Sequence, residues 1–378
     1  MLYGRATKPF YEGDIMKRTK KTLIIAEAGD NHNGSVSMAK ELIDVATEAG
    51  ADIVKFQTFC SEEVISRFAP KAEYQTKTTS PEESQLDMVK KLELTADEHL
   101  QLISHCEKNG IEFLSTPFDI PSVVLLNEKL NIPRFKIPSG EITSGPLLLK
   151  VAKTGKPIIL STGMATLSDV EQALGVLAFG YLNWENPSIL RFQEAFCSCE
   201  GQKVLQENVQ LLHCTTEYPA PFSDVNLNIM ETLRQAFGLP VGLSDHTQGI
   251  AVPIAAAACG AAIIEKHFTL DKNLPGPDHK ASLEPEELKA MIQGIRQVEQ
   301  ALGTSTKIPA LSEIKNKPIA RKSLVARKPI FVGELFTSEN ITFKRPGTGI
   351  SPMNYWELLG NRSKRSYQED EEICSDER

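Results

Sequence analysis

The sequence predicts an α/β fold, a (β/α)8 barrel followed by a small second domain. Eight apolar runs of strand length alternate with amphipathic segments of helix length, which is typical of a parallel sheet with helical crossovers. No G-x-G-x-x-G motif follows the first run, so an open dinucleotide-binding sheet is disfavoured. The 378 residues are enough for a barrel of roughly 250 residues and one further module.

The eight predicted strands are short and rich in aliphatic residues. They cover residues 22–28, 51–57, 111–116, 134–138, 157–161, 209–214, 241–244 and 262–267. The interval between the fifth and sixth strands is too long for a minimal crossover, so we interpret residues 180–206 as an insertion. We place the barrel domain at residues 22–302, after an N-terminal extension at 1–21, and its last helix at 284–302.

The polar stretch at residues 303–320 predicts a linker, and residues 321–378 predict a second domain. This domain opens with a short strand at 323–326 and contains the loop KRPGTGISP, in which Ser351 and Pro352 suit the start of a short helix. A module of about 55 residues buries little core by itself, so we expect it to pack against another surface. The acidic segment 369–378 is predicted to be a solvated, frayed end.

Composition and charge narrow the class of protein. Hydrophobic residues make up 41% of the chain, and no apolar run reaches the roughly 20 residues of a membrane helix. The net charge of −8 argues against nucleic acid as a partner. The seven cysteines lack C-x-x-C spacing, and the N-terminal segment has no apolar core of a signal peptide. We therefore expect reduced thiols, a cytoplasmic location and no membrane partner.

Polar residues are concentrated at the carboxyl ends of the predicted strands, where (β/α)8 enzymes place their active sites. They include Glu27, Lys55, Gln57, Thr116, Lys136, Ser139, Glu141, Ser161, His213, Asp245, His246, Glu265 and His267. A single residue of this kind is usually a satisfied polar group of the core. Burying so many charges together without a ligand would cost several kcal/mol per unpaired ion. The pattern therefore predicts an active site.

The polar residues are of two chemical kinds. Lys55 and Lys136 supply cations, and Thr116, Ser139 and Ser161 supply short hydroxyl groups. This combination suits a phosphate ester, so an anionic substrate is predicted.

His246 and His267 lie at the ends of the neighbouring seventh and eighth strands, where both imidazoles can bind one divalent metal. Two imidazoles without thiolates favour manganese, iron or zinc over calcium. The alternative is a pair of core histidines that serve only as hydrogen-bonding groups.

A series of motifs follows in order along the chain: AEAGDNHNG, VKFQT, STPFD, FKIPSGE, ILSTGM, LLHCTTEYPAP, GLSDHT, IEKHFTLDKNLPGPDH, RKSLVA and KRPGTGISP. Together they closely resemble the N-acetylneuraminate synthase family, the sialic acid synthases. The resemblance runs from about residue 22 to 373, without the insertion at 180–206. It implies a (β/α)8 barrel with a C-terminal antifreeze-like (SAF) domain. It also implies the joining of phosphoenolpyruvate to an N-acylated aldose to give a nine-carbon 2-keto acid.

Further motifs at residues 69–79 and 83–94 resemble the bacterial branch that makes N-acetylneuraminic or legionaminic acid, with a slight preference for legionaminic acid. The corresponding aldoses are N-acetylmannosamine and 2,4-diacetamido-2,4,6-trideoxymannose. The sequence leaves the choice between them open. Ile319 stands where some relatives have an aromatic residue near the substrate, so the pocket for the acyl group departs from theirs.

At matching positions the resemblance implies a role for individual residues. Phosphoenolpyruvate is expected to contact Lys55, Gln57, Thr116, Lys136, Ser139 and Ser161. A divalent metal, Mn²⁺ first with Mg²⁺ or Co²⁺ as alternatives, is expected on His246 and His267, with Glu27 as a catalytic carboxyl group close to the metal and the reacting carbons. The sugar is expected to contact Glu141, Tyr218, Asp278 and Arg345. The resemblance also implies a domain-swapped homodimer, in which Arg345 reaches the barrel of the partner.

Two other functions are compatible with parts of the sequence. The first is a synthase that makes a seven- or eight-carbon keto acid from a phosphorylated sugar, but such barrels lack the SAF module, and the sequence shows no second basic cluster. The second is a non-catalytic carbohydrate-binding protein, which the antifreeze-like module invites. Such a protein has no use for two lysines, two metal-type histidines and Glu27 at one barrel mouth.

Overall fold

The structure is a computed structural model that describes residues 21–70 and 84–377. The chain divides into two compact units, Met1–Gly303 and Thr304–Arg378. Two sequence predictions fall largely outside the described residues. They are the N-terminal extension at 1–21, of which only Lys21 is described, and most of the motif at 69–79.

The first unit is a barrel of eight parallel strands, which confirms the predicted fold class. The strands are β1 (Leu23–Gly29), β2 (Ile53–Thr58), β3 (Glu112–Pro117), β4 (Phe135–Ile137), β5 (Ile158–Ser161), β6 (Val209–Cys214), β7 (Val241–Asp245) and β8 (Ile263–His267). Parallel ladders run from β4 through β8 and β1 to β3. In the described residues β3 and β4 are neighbours without a shared ladder. Each strand begins and ends within two residues of its predicted bounds.

Helices surround the barrel. They cover Val36–Ala49, Ser61–Val64, Gln85–Lys90, Ala96–Asn109, Ile120–Val124, Gly145–Ala152, Leu167–Tyr181, Ile189–Cys197, Cys199–Asn208, Phe222–Val225, Ile229–Phe237, Ala251–Ala258 and Pro285–Leu302. A π-helical segment spans Leu125–Lys129, and 3-10 turns span Ser139–Glu141 and His279–Ala281. No helix of the described ranges is long and apolar enough to cross a membrane.

The helix Val36–Ala49 shows how the outer layer follows from sequence. The Ser35 side chain accepts a hydrogen bond from the Met38 amide at the N-terminus, and Gly50 ends the helix with a φ of 87°. Between these caps, Ala39, Leu42, Ile43 and Ala46 are buried at the helical spacing of three and four residues. This apolar face packs on the barrel, so sequence periodicity fixes the orientation of the helix.

The predicted insertion at residues 180–206 folds as the helices Ile189–Cys197 and Cys199–Asn208. The Phe192 ring packs edge-on against Phe179 of the preceding helix, with 5.1 Å between ring centroids. The Arg191 guanidinium lies 4.5 Å from the centre of the Trp184 ring. The insertion therefore adds to the outer helical layer.

The barrel interior has two layers of different chemistry. The lower layer is apolar and consists of Ile25, Ile53, Leu114, Ile159, Leu212 and Ile263. The upper layer lies two residues further along the same strands and consists of Glu27, Lys55, Thr116, Ser161, Cys214 and Glu265. Residues two apart on a strand face the same side, so both layers point inward. Polar groups of the interior are thus confined to the carboxyl ends of the strands.

The second unit contains two antiparallel strands, β9 (Ser323–Ala326) and β10 (Ile341–Lys344). Its short helical segments are Leu311–Ile314, Lys317–Ala320, Pro352–Asn354, Tyr355–Leu358 and Ser375–Glu377. The stretch predicted as a linker at 303–320 therefore contains two helical turns. Ser351 caps the helical segment that follows it, as expected, by accepting a hydrogen bond from the Met353 amide.

The C-terminal segment is ordered within the second unit, so the prediction of a frayed end was wrong. Ile373 is completely buried in the core of this unit. The Ala326 amide donates to the Glu371 carbonyl, and the Glu377 carboxylate accepts hydrogen bonds from the Lys364 amide and the Tyr367 hydroxyl. The prediction followed the high charge of the segment and overlooked Ile373, the apolar side chain that anchors it in the core.

Candidate active site

A cavity of about 340 Å³ opens at the carboxyl ends of the barrel strands. The upper layer forms its floor, and further polar groups come from other residues of the strands and from the loops that follow them. Those are Asp30, Gln57, Lys136, Ser139, Thr216, Tyr218, Ser244, His246, His267 and Asp278. One wall is apolar and is formed after β2 by Phe59, Val64, Ile65, Met88, Val89 and Leu92. The cavity thus combines polar groups with a wall of apolar side chains.

Two ammonium groups and two carboxyl groups form a buried cluster at the base of the cavity. The Lys55 Nζ atom lies 2.7 Å from Glu27 Oε2 and 3.9 Å from Glu265 Oε2, and the Lys136 Nζ atom lies 3.4 Å from Glu265 Oε1. None of the four side chains is more than 5% exposed. Ser244 donates a further hydrogen bond of 2.9 Å to Glu265 Oε1. Each charge is therefore compensated before any ligand arrives.

The two carboxyl groups of this cluster have different proton affinities. Burial raises the pKa of Glu27 to about 7, against the opposing effect of Lys55. Burial would also raise the pKa of Glu265, but Lys136 and Lys55 outweigh it and lower that pKa to about 2. Glu265 is thus a permanent counter-ion, whereas Glu27 titrates near neutral pH.

The two lysines also differ. Burial lowers the pKa of Lys136, although Glu265 opposes the shift. Burial acts in the same direction on Lys55, but the Glu265 and Glu27 carboxylates outweigh it and raise the pKa of that ammonium group. Lys55 therefore keeps its charge, with Glu265 as the counter-ion that remains when Glu27 is protonated.

The hydroxyl groups of Thr116, Ser139 and Ser161 line the same cavity as the two ammonium groups. Lys55 donates a hydrogen bond of 3.0 Å to Thr116 Oγ1, and Ser139 Oγ accepts one of 2.9 Å from the Gly163 amide. The Ser161 Oγ atom is buried and has no hydrogen-bond partner. A Cβ atom at Gly163 would lie 2.4 Å from Thr216 Oγ1, so only glycine lets the backbone approach here. The six residues predicted for phosphoenolpyruvate, Gln57 among them, all line this one cavity.

His246, directly after β7, and His267, at the end of β8, come together with 5.5 Å between ring centroids, and His267 is the register partner of Glu27. The His246 Nδ1 atom lies 2.7 Å from the Thr215 carbonyl oxygen, so this nitrogen donates and Nε2 is the atom left to bind a metal. The His267 Nδ1 atom is buried without a hydrogen-bond partner and lies 3.7 Å from Asp278 Oδ2. Tyr218 packs on His246 at 4.2 Å between ring centroids.

The proton affinities of the histidines bear on their use as metal ligands. Burial and the neighbouring His246 hold the pKa of His267 well below its usual range, so this imidazole is neutral. Burial would likewise lower the pKa of His246, but the Cys214 sulfur, 3.8 Å from Nδ1, outweighs it and raises that pKa. A metal ion that bound His246 would therefore compete with a proton.

Within residues 21–70 and 84–377, no three His, Cys, Asp or Glu side chains form a ready metal cage. The two imidazoles instead fit an open metal centre. One ring is oriented by a backbone carbonyl, the other has an unpartnered nitrogen, and water or substrate would complete the coordination.

Two predicted sugar contacts are not among the residues that line the cavity of the first unit. Glu141 is in the 3-10 turn Ser139–Glu141 but does not line the cavity, and its half-buried carboxyl group bonds to Ser144. Arg345 is exposed on the second unit, where its Nε donates to the Ala320 carbonyl oxygen at 3.1 Å, and Ile319 is exposed on the same unit. By contrast, Tyr218 and Asp278 line the cavity, and burial raises the pKa of Asp278 to about 6.

Sequence reasoning named Glu265 among the polar strand ends without giving it a role, and it missed Asp30. Glu265 precedes His267 by two positions on β8, so strand alternation alone places both side chains on the interior face. Asp30 lies beyond the end of β1 in a loop, where no periodicity marks it. Its Oδ1 atom is buried without a partner, and burial together with Asp278 raises its pKa well above the usual range.

Comparison with known proteins gives the same assignment for both units. The model of the NeuB family matches residues 42–307, and that of the SAF domain matches residues 321–373. The chain is 55% identical to an N,N'-diacetyllegionaminic acid synthase of Campylobacter jejuni, over 94% of this chain and 99% of that protein. It is 44% identical to the enzyme of the same name from Legionella pneumophila, over 90% and 89% of the two chains.

A solved structure shows the same relationship. N-acetylneuraminic acid (sialic acid) synthetase from Leptospira borgpetersenii superposes with a TM-score of 0.63 at 32% sequence identity. The match covers 79% of this chain and 90% of that one. The resemblance seen in the short motifs therefore extends over most of the chain.

Proposed function

The chain belongs to the NeuB family, and from this premise we propose that it condenses phosphoenolpyruvate with an N-acylated aldose and water. The products are a nine-carbon 2-keto sugar acid and phosphate. The observation that carries the proposal is that one cavity is lined both by the charge cluster of Lys55, Glu27, Glu265 and Lys136 and by the imidazoles of His246 and His267. The relative at 55% identity is named for N,N'-diacetyllegionaminic acid. We therefore favour 2,4-diacetamido-2,4,6-trideoxymannose over N-acetylmannosamine as the aldose.

Phosphoenolpyruvate occupies the lysine side of the cavity in this proposal. Its phosphate and carboxylate groups need several cations and donors, which Lys55, Lys136 and nearby hydroxyls supply. The unpartnered Ser161 hydroxyl supports the placement, because a buried donor without a partner is costly unless a ligand accepts from it. Glu265 keeps both lysines charged and in place.

His246 and His267 hold the divalent metal in this proposal, with Mn²⁺ the first choice. When bound, the ion supplies Lewis-acid polarisation of the aldehyde oxygen. Thr215 fixes the tautomer and direction of His246, and Tyr218 covers one face of the ring. The two imidazoles thus define where the aldehyde end of the aldose lies.

The reaction forms one carbon–carbon bond and one carbon–oxygen bond to water, and it breaks the carbon–oxygen bond to phosphate. C3 of phosphoenolpyruvate attacks the aldehyde carbon, and the aldehyde oxygen becomes a hydroxyl by taking up the proton that Glu27 removes from the attacking water. Water adds to C2 and gives its proton to Glu27, whose pKa near 7 suits a general base. The tetrahedral carbon then expels phosphate, and its hydroxyl becomes the 2-keto group. Lys55 and Lys136 stabilise the charge that builds on the departing phosphate.

The arrangement of charges disfavours the other candidate functions. Lys55 and Lys136 are the only lysine or arginine residues among the described residues lining the cavity, so a second phosphate on the sugar would lack a counter-charge there. A protein that only binds carbohydrate gains nothing from a buried carboxyl group poised near neutral pH beside two imidazoles.

The aldose contacts lie on the acidic side of the cavity. Asp278 and Tyr218 adjoin the two histidines, and we add Asp30, whose unpartnered Oδ1 atom suits a hydroxyl or amide donor of the sugar. Glu141 would need to reorient to reach the sugar. Arg345 would donate to the N-acyl oxygen from the second unit, as part of a homodimer in which each SAF domain serves the barrel of the partner.

The decisive assay follows phosphate release from phosphoenolpyruvate with Mn²⁺ and each aldose in turn. We expect release that depends on the aldose, with a higher kcat/KM for the diacetamido sugar, and loss of activity with a chelator. Release that does not need an aldose would contradict the condensation. A preference for N-acetylmannosamine would reassign only the sugar.

Subunit mixing tests the role of Arg345 in the partner. Arg345→Ala should weaken aldose binding by about 1.5 to 3 kcal/mol and leave phosphoenolpyruvate affinity nearly unchanged. Mixing Arg345→Ala with His246→Ala chains should restore activity, because one site of the heterodimer then contains neither lesion. If subunits exchange and no activity returns, Arg345 does not act in trans.

We also propose a cytoplasmic location. All seven cysteines are unpaired, as is usual for chains that fold in a reducing compartment.

A further inference from the structure

A buried ion pair lies behind the two histidines. Lys266 is 0% exposed, and its Nζ atom lies 2.6 Å from Asp245 Oδ2. The two residues are partners in the β7–β8 ladder. Lys266 alternates with Glu265 and His267, which line the cavity, so its side chain points to the outer face of the barrel wall. The pair therefore contacts no substrate, and the mechanism above does not use it.

The ammonium group of Lys266 connects residues on both sides of His246. It donates to the Asp245 carboxylate before His246 and to the Thr247 carbonyl oxygen after it. Asp245 closes the arrangement by accepting 3.1 Å hydrogen bonds from the Thr247 amide and hydroxyl. Lys266 itself immediately precedes His267. One buried cation thus joins the backbone that carries both imidazoles.

Close packing of the barrel wall does not require an ion pair at Lys266 and Asp245. An apolar pair of similar volume can stabilise a buried site as well as an ion pair can, but it lacks directed hydrogen bonds. Directed bonds fix the relative position of two strands more narrowly than contact between aliphatic side chains does. The geometry of residues 245–247 against residue 266 is therefore specified by the ion pair.

We propose that the Lys266–Asp245 pair is a positioning device that sets the separation of the His246 and His267 imidazoles and so determines the metal affinity of the site. The inference rests on the proposed function in one respect, namely that these histidines bind a divalent ion. It concerns residues that touch neither the ion nor the substrates.

A matched control exists elsewhere in the barrel. Arg296 Nη2 lies 2.9 Å from Asp52 Oδ2 in another ion pair of this unit, and neither residue lines the cavity. Arg296→Met and Lys266→Met both replace a long cation by an unbranched apolar side chain. General loss of stability should therefore appear in both variants, whereas loss of positioning should appear only in Lys266→Met.

The experiment titrates manganese(II) chloride alone into the full chain and follows free Mn²⁺ by electron paramagnetic resonance. Thermal melts first establish a temperature at which each variant is folded. We expect Lys266→Met and Asp245→Asn to raise the Kd for Mn²⁺ about 10- to 100-fold, the usual effect of losing a residue that supports a metal ligand. Lys266→Arg should restore most of the affinity, and Arg296→Met should match the wild type. With saturating Mn²⁺, the KM for phosphoenolpyruvate should stay within about twofold of the wild type, since the cations of that subsite are unchanged.

Two results would overturn the inference: an unchanged Kd in a folded Lys266→Met or Asp245→Asn variant, or an equal loss in Arg296→Met. If Lys266→Met does not fold, Asp245→Asn and Lys266→Arg decide, because both keep the volume of the side chain they replace. A wild-type chain that binds no Mn²⁺ yet condenses the substrates would reject the metal assignment and this inference but not the reaction. Variant-dependent Mn²⁺ binding without condensation would support the inference and reject the reaction.

Discussion

The lower and upper layers of the barrel interior lie on the same strands, two residues apart, and differ in almost every chemical respect. The lower layer contains six aliphatic side chains that contact one another. The upper layer contains two carboxyl groups, an ammonium group, two hydroxyls and a thiol. Because the two layers share the same strands and are both buried, the difference separates residues that stabilise the fold from residues suited to chemistry.

The lower layer also explains why the barrel tolerates the upper one. Close packing leaves no room near Gly242 of β7, where a Cβ atom would lie 2.2 Å from the Ile263 carbonyl oxygen. Burial of such a layer stabilises the fold by roughly 1.5 to 3 kcal/mol for each aliphatic side chain. The upper layer adds little net stability, since its ion pairs mainly offset the cost of burying their own charges. Substitutions in the lower layer should therefore reduce stability more than activity, and substitutions in the upper layer should reduce activity more than stability.

The largest effect on catalysis is expected just above the upper layer, at the histidines. His267→Ala should lower kcat about 10²- to 10⁴-fold, because in the proposed mechanism it removes a ligand of the ion that would polarise the aldehyde. The melting temperature should change little, since the His267 Nδ1 atom has no hydrogen-bond partner to lose. Steady-state kinetics and a thermal melt on the same preparation check both parts. A variant that loses stability along with activity would contradict the claim that His267 contributes to catalysis and not to stability.

The opposite signature is expected in the lower layer. Leu212→Ala should reduce the free energy of unfolding by about 2 to 5 kcal/mol, because it leaves a cavity in a packed interior. The folded variant should keep its KM for phosphoenolpyruvate, since Leu212 lies two residues before Cys214 on β6 and does not line the cavity. Denaturant titration and kinetics well below the melting temperature measure the two quantities. A large rise in KM would show that the lower layer shapes the binding site.

The phosphate side of the upper cavity should show an intermediate effect. Lys136→Met should lower kcat/KM for phosphoenolpyruvate about 10- to 150-fold, because it removes one charge-assisted contact worth about 1.5 to 3 kcal/mol. Metal binding should be unaffected in the same variant. Equal kcat/KM values for the variant and the wild type would place the phosphate away from Lys136.

The pH dependence of catalysis should report Glu27. The raised pKa of this carboxyl, about 7, means that acidification through neutrality adds a proton and removes the base. The kcat/KM for the aldose at saturating phosphoenolpyruvate should therefore fall about tenfold per pH unit on the acid side and level off above the pKa. Bound phosphoenolpyruvate, an anion, should raise this midpoint, whereas a divalent ion held by the neighbouring His267 should lower it.

Glu27→Gln should be nearly inactive and lose this acid limb, whereas Glu141→Gln, a carboxyl outside the cavity, should keep it. An acid limb that survives in Glu27→Gln would assign the titration to another group.

The smallest expected effect concerns Ser161. Ser161→Ala should weaken phosphoenolpyruvate binding about 2- to 12-fold, the range for one neutral hydrogen bond. The same change should leave the unfolding free energy equal or higher, because the unliganded protein gains nothing from a buried hydroxyl without a partner. Calorimetric binding and denaturant titration measure the pair of values. A clear loss of stability would mean that Ser161 has a structural role.

The contrast between layers also explains how much the sequence could predict. Aliphatic runs fix the strands, and strand alternation then places Lys55, Thr116 and His267 in one interior, so most of the site follows from pattern alone. Asp30 could not be found in this way, because its position depends on the path of a loop. The buried C-terminal segment was mispredicted for a similar reason, since a single apolar residue, Ile373, decides its burial.

The most direct test of the central claim is the fate of solvent oxygen. The reaction is run with phosphoenolpyruvate, 2,4-diacetamido-2,4,6-trideoxymannose and Mn²⁺ in water enriched in oxygen-18, and the released phosphate is weighed by mass spectrometry. If water adds to C2 beside Glu27 and the carbon–oxygen bond breaks, the phosphate keeps its four original oxygens and carries no label. Phosphate with one oxygen-18 atom would show attack at phosphorus and contradict the mechanism assigned to the upper layer.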